Sequence, residues 1–208
     1  MKNIYLIRHS GPFIEIDNYS DYKNVPWNDY NRNMILSPEG EDNAKALTSV
    51  EDFQNLDLIY SADSYRAIGT AKYIADINNK KIILDSRINE RELGVDTISE
   101  LPENFSNDSF VNKDIKYKNG ESLNEVDARF NSFMNEILNK KENNIALFIH
   151  GMLMLSYLQN NFEFEFDGKR LKLSFNDNVI YDNEMKTPMV FKIVFDNNNN
   201  IVDIKSIY

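Results

Sequence analysis

The sequence predicts an α/β protein, a three-layer α/β/α sandwich with a mainly parallel central sheet. Antiparallel hairpins at the C-terminal end and loop insertions complete the expectation. Three observations carry it. Four short apolar runs alternate with segments of helical period. Those runs are continuous rather than alternating, as parallel strands covered on both faces require. The last third of the chain changes to alternation about turn residues.

In order, the strand candidates are "NIYLI", "LDLIYS", "KIILDS" and "NIALFI", rich in Ile, Leu and Tyr. Between them, "LSPEGEDNAKALTSV" opens a helix with Ser37 as N-cap and Pro38 in the first turn. "SYRAIGTAKYIADI" repeats small and apolar residues at helical spacing. "ESLNEVDARFNSFMNEILNK" carries a capping box, Ser122 with Glu125, and one apolar stripe through Leu123, Val126, Phe130, Phe133, Met134 and Ile137. That stripe is core. "MLMLSYL" is apolar all round and reads as a buried helix. Two hairpins follow: "FEFEF" and "KRLKLSF" about Asp167-Gly168, then "MVFKIVFD" and "IVDIKSIY" about four asparagines. Irregular insertions remain at about 11–35 and 95–120, within what is expected to be one domain over 1–208. Loops of that length in a compact domain are usually functional. The first is aromatic, with Tyr19, Tyr22, Trp27 and Tyr30, and forms either a satellite apolar cluster or a pocket wall.

At 208 residues the chain can bury a sizeable core, and 42% apolar residues exclude a disordered chain. The net charge of -10 argues against nucleic acid and anionic lipid as partners. The absence of cysteine excludes disulfides, thiol catalysis and thiolate metal sites. "MKNIYLIRHS" meets charge too early for a signal peptide, and no apolar run approaches a membrane span, so a cytoplasmic location is expected.

In open α/β sheets, ligands bind beyond the carboxyl ends of the strands. There the chain places Arg8, His9 and Ser10; Ser61 and Arg66; Glu90 and Arg91; His150 and Gly151. Both histidines of the chain are in this set. A metal site is the alternative for two histidines and a glutamate, but arginines beside a cation are electrostatically unfavourable, so no metal is expected. The arginines point to an anion, because planar guanidinium groups bind phosphate oxygens bidentately. Amides at a helix start after Gly151 would add donors. A neutral imidazole can then act as nucleophile, arginines can stabilise the transferring phosphoryl group, and a carboxylic acid can protonate the leaving oxygen.

These residues resemble the histidine phosphatase superfamily, the phosphoglycerate-mutase-like group. "LIRHS", "LSPEGEDNAKAL", "IYSADSYRAIGTA", "INERELG", "NGESLNEVDARF" and "IALFIHG" occur in the family's order over most of the first 155 residues. The resemblance implies His9 as phosphorylated nucleophile, Arg8, Arg66 and His150 as phosphate pocket, and Glu90 as general acid. Glu92 is the rival for the acid role. Arg91 would bind the rest of the substrate, with Ser10 and Gly151 close to it, while Glu121 and Ser122 read as a helix cap. No cofactor is implied.

The departures bear on the reaction. Ser10 stands where glycine is usual, Pro12 and Phe13 follow it, Ala62-Asp63 replaces Ser-Pro, and "GMLML" follows His150 without the mutases' polar residues. These losses favour hydrolysis over mutase action. The expected activity is a metal-independent phosphomonoesterase working through phosphohistidine on a small phosphorylated metabolite or a phosphorylated protein. A phosphoglycerate-type mutase or a non-catalytic phospholigand-binding protein are the alternatives. Acidic loop residues such as Glu15, Asp17, Asp108 and Asp114 are either solvated faces or a repulsive field that favours small or weakly charged phosphates. Monomer and homodimer both remain open.

Overall fold

The computed structural model describes residues 1–13, 24 and 26–208. A six-stranded sheet runs through its centre in the order β3-β2-β4-β1-β8-β9. The strands are β1 Lys2–Arg8, β2 Leu58–Ser61, β3 Ile82–Leu84, β4 Asn144–Ile149, β8 Met189–Phe195 and β9 Ile201–Ser206. The first four pair in parallel, and β8 joins β1 antiparallel, followed by β9. A second, antiparallel sheet holds β5 Glu163–Phe166, β6 Arg170–Phe175 and β7 Asn178–Glu184. The helices are α1 Pro38–Ala46, α2 Tyr65–Ile77, α3 Phe105–Val111, α4 Leu123–Leu138 and α5 Gly151–Asn161, with one π turn at Asp29–Asn33.

Period-two alternation sorts the central strands into two cores. Ile4, Leu6, Ile145, Leu147 and Ile149 face α4 and α5, where Phe130, Phe133, Leu153 and Leu158 meet them. Tyr5, Ile7, Ala146 and Phe148 face the other way, toward Leu47, Phe53, Ala71 and Ile74. Each fully buried Ile, Leu or Phe among them contributes about 1.5–3 kcal/mol. The second sheet adds Leu171 and Leu173 to the first core.

Helix ends follow their sequence signals. The Ser37 hydroxyl accepts from the Gly40 amide (2.9 Å), and Ser122 and Glu125 close a capping box. At the other end of α4, buried Lys2 donates to the carbonyls of Ile137, Lys140 and Glu142 at 2.6–3.0 Å, placing a cation where the helix is negative.

Three expectations need correction. β3 is not a buried strand: it sits at the sheet edge, with Ile83 38% and Leu84 53% exposed. β7 was not foreseen as a strand; it closes a hairpin on Asn176 and Asp177, both at positive φ (51° and 62°). The 95–120 insertion is not irregular throughout, because α3 and a 3₁₀ turn at Ile98–Glu100 organise it. Tyr19, Tyr22, Glu15 and Asp17 lie outside the described residues. Among the described residues, no helix is long and apolar enough to cross a membrane.

Candidate active site

The carboxyl ends of β1, β2 and β4 deliver their following residues to one place. β1 ends at Arg8 and places His9 beside it; His150 follows β4; Arg66 lies in the first turn of α2 after β2. The two imidazoles stand 5.1 Å apart between ring centres, inclined at 61°. Arg66 joins them. Its Nε donates to His9 Nε2 (3.0 Å), and its Nη2 lies 3.0 Å from His150 Nδ1.

These contacts fix the protonation of both rings. His9 Nδ1 lies 2.7 Å from the Ser10 carbonyl oxygen. A carbonyl only accepts, so Nδ1 carries the proton and Nε2 carries the lone pair that receives the Arg66 bond. In His150, Nδ1 accepts from Arg66, so Nε2 carries the proton and donates to Ser64 Oγ (3.1 Å). Burial holds His9 well below the usual imidazole value, and Arg66 and Arg8 add to the effect. His150 is lowered the same way, by burial first and then by Arg66. Both are neutral at physiological pH.

The loop after His9 is held from two sides. The Ser10 amide donates to Thr70 Oγ1 (2.8 Å), and its hydroxyl donates to the Gly40 carbonyl (2.7 Å). Ser10 is fully buried and does not line the cleft. The expectation of a Ser10 side chain approaching substrate is corrected: its hydroxyl ties the His9 loop to α1. Gly40 is required by space, since a Cβ there would lie 2.0 Å from the Gly11 carbonyl oxygen.

The cleft above His9 has a volume of 550 Å³. Arg8, His9, Arg66, Glu90 and Gly151 all line it. Arg8 donates to the Lys186 carbonyl (3.0 Å), and its guanidinium packs on Gly151, where a Cβ would come within 3.4 Å of Arg8 Nε. His150 does not line the cleft; it lies behind Arg66 with both nitrogens engaged.

Glu90 reaches the cleft from the segment after β3. Its carboxylate accepts from the amides of Arg91 (3.0 Å), Met152 (3.2 Å) and Leu153 (3.3 Å). The first-turn amides of α5, expected as phosphate donors, are therefore engaged by a carboxylate. Glu92 turns elsewhere, accepting from Trp27 Nε1 (3.3 Å) and Asn31 Nδ2 (3.5 Å).

Arg91 is completely buried. Its guanidinium donates to the Glu121 carbonyl, Ser109 Oγ and the Ile115 carbonyl at 2.8–2.9 Å and lies over the Phe105 ring. It lines the cleft and also clamps the 95–120 insertion against the rest of the chain. Glu121 forms a fork with Arg129 as well as preceding the Ser122 cap, and Arg129 also donates to the Glu90 carbonyl (3.2 Å).

Three residues of the site were not singled out from the sequence. Asn31 accepts from Arg66 through both its carbonyl and its side chain. Ser64 receives His150, and Arg129 fixes the Glu90 backbone. Of these, Ser64 alone had a signal, as the residue before a helix directly after a strand. Trp27, from the aromatic insertion, lines the cleft and is a pocket wall. Among the described residues, no three His, Asp or Glu side chains converge as a metal-ligand set.

The family model described as Histidine phosphatase superfamily (branch 1) matches residues 4–178. Phosphoserine phosphatase 1 of Hydrogenobacter thermophilus is 28% identical over 121 residues, 55% of this chain and 57% of that protein. The match thus spans little more than half the length of that relative. A mycobacterial glucosyl-3-phosphoglycerate phosphatase in complex with inorganic phosphate has the same fold (TM-score 0.68, 16% identity, 99% of this chain and 95% of that one). So does a phosphoglycerate mutase from Bacillus anthracis (TM-score 0.66, 16% identity, 99% and 92%).

Proposed function

The chain belongs to the histidine phosphatase superfamily, branch 1, and from that premise we propose that it hydrolyses phosphate monoesters through a phosphohistidine formed on His9, without a metal ion. One observation carries the reading: His9 Nε2 is held as a lone-pair nitrogen at the floor of a cleft, with Arg8, Arg66 and Glu90 around it.

A phosphoryl group entering the cleft meets two guanidinium groups, which neutralise its charge and stabilise the equatorial oxygens during transfer. The Arg66 Nε–H bond to His9 is exchanged for one to a phosphoryl oxygen, and this frees the Nε2 lone pair. Nε2 attacks phosphorus, the bond to the ester oxygen breaks, and Glu90, which enters the cycle as the carboxylic acid, gives that oxygen its proton and becomes the carboxylate. The phosphorylated ring keeps its Nδ1–H, and the Ser10 carbonyl accepts from it in both states. Water then attacks phosphorus and passes its proton to the Glu90 carboxylate. Phosphate leaves and His9 is restored. His150 acts in this scheme by ordering Arg66.

Turnover of an aryl phosphate with and without a chelator tests the reading. Activity that survives chelation and falls about 10³-fold or more in His9→Ala supports it. Activity that depends on an added divalent ion contradicts it.

A further inference from the structure

We propose that the substrate's leaving group is uncharged and largely apolar, so that the natural esters are those of hydrophobic alcohols or phenols. This rests on the hydrolase reading and names the substrate class of the same site.

The cleft has two chemically different ends. Among its described lining residues, the charged ones are Arg8, Arg66, Glu90 and Arg91. Arg8, Arg66 and Glu90 surround His9, and the Arg91 guanidinium is engaged by Glu121, Ser109 and Ile115. The arginine end therefore seats one anion, the phosphoryl group.

The remainder of the cleft is built from Leu101, Phe110, Leu155, Phe166 and Met185. These come from four separate parts of the chain: the 95–120 insertion, α5, the β5–β6 hairpin and the segment after β7. The wall is fixed before any ligand arrives. Phe110 meets Phe166 edge-on at 5.5 Å and lies 6.0 Å from Phe164. Arg91 holds the segment that carries Leu101 and Phe110. The polar members of this end, Ser106, Asn107 and Thr187, are neutral.

A second carboxylate or phosphate on the leaving group would face this wall with only the neutral Ser106, Asn107 and Thr187 beside it, which is unfavourable. The overall charge of -10 disfavours it further. An alkyl or aryl body gains from the same wall, and a cleft of 550 Å³ has room for one beyond the phosphoryl group.

The test compares kcat/KM of the intact protein for three alkyl esters of similar intrinsic reactivity: hexyl phosphate, O-phosphoserine and 3-phosphoglycerate. Hexyl phosphate is expected to exceed both charged esters by about tenfold or more. Phe110→Asp is expected to reduce the ratio of hexyl to methyl phosphate turnover, each measured on the same preparation. Charged esters turned over as well as or better than hexyl phosphate overturn this inference alone. No turnover of any ester overturns it together with the hydrolase reading. A hexyl-to-methyl ratio unchanged in Phe110→Asp removes the apolar wall as its cause.

Discussion

A carbonyl oxygen decides which nitrogen of His9 can react. The Ser10 carbonyl takes the Nδ1 proton, so the lone pair points at Arg66 and into the cleft. Glu90 is the second residue on which the chemistry turns, and its role has a kinetic signature. A general acid matters most when the leaving oxygen is basic. Glu90→Gln is therefore expected to lower kcat by about 10²–10⁴ for an alkyl phosphate and by much less for p-nitrophenyl phosphate. Equal losses on both would remove Glu90 from proton transfer. At this scale the sequence was informative where a residue follows a parallel strand, because topology alone carries Arg8, His9, Arg66, Glu90 and His150 to one end of the sheet. It was misleading for Ser10. That residue lies beside His9 in the chain, but its hydroxyl is drawn into the fold by the Gly40 carbonyl.

The elements that hold the site do so through close backbone contacts. The loop after β1 rests on the start of α1, where Gly40 leaves space for the Gly11 carbonyl. The segment after Glu90 rests on the turn before α4, where a Cβ on Gly94 would lie 2.2 Å from the Gly120 amide. Gly40→Ala is expected to push the His9 loop away from α1, costing about 1–3 kcal/mol of stability. Its kcat should fall as well, because the Ser10 carbonyl orients His9. Urea denaturation and steady-state kinetics check both, and a variant with unchanged midpoint and kcat would contradict the packing. Helix boundaries were legible because caps are local: Ser37 and Ser122 act where the sequence places them. β7 was missed because its alternation is weak and most of its residues are exposed, although Asn176-Asp177 is a usable turn signal. β3 was read as buried because three apolar residues in a row look the same at a sheet edge as at its centre.

For the whole molecule, two neutral buried histidines couple the site to stability. Their folded-state values lie well below those of exposed imidazoles. The unfolded chain takes up a proton at each near pH 6.5 and the folded chain does not. Stability is therefore lost as pH falls below about 6.5, by up to about 1.4 kcal/mol per pH unit for each histidine. Urea midpoints between pH 7 and 5.5 are expected to fall accordingly, with a shallower slope in His150→Gln. A flat profile would mean that the histidines are not held neutral. The three-layer architecture was legible as a whole because strand runs and helical patterns alternate along the chain. The cleft wall was not, since Leu101, Phe110, Leu155, Phe166 and Met185 are distant in sequence and share no motif.

The central claim is covalent transfer of the phosphoryl group to His9. Rapid acid-free quenching of the wild-type protein during turnover, followed by peptide mapping, tests it most directly. The account requires an acid-labile, alkali-stable phosphoryl group on the peptide bearing His9, absent from His9→Ala. Turnover without any phosphorylated protein, or with the phosphoryl group on another residue, would contradict it.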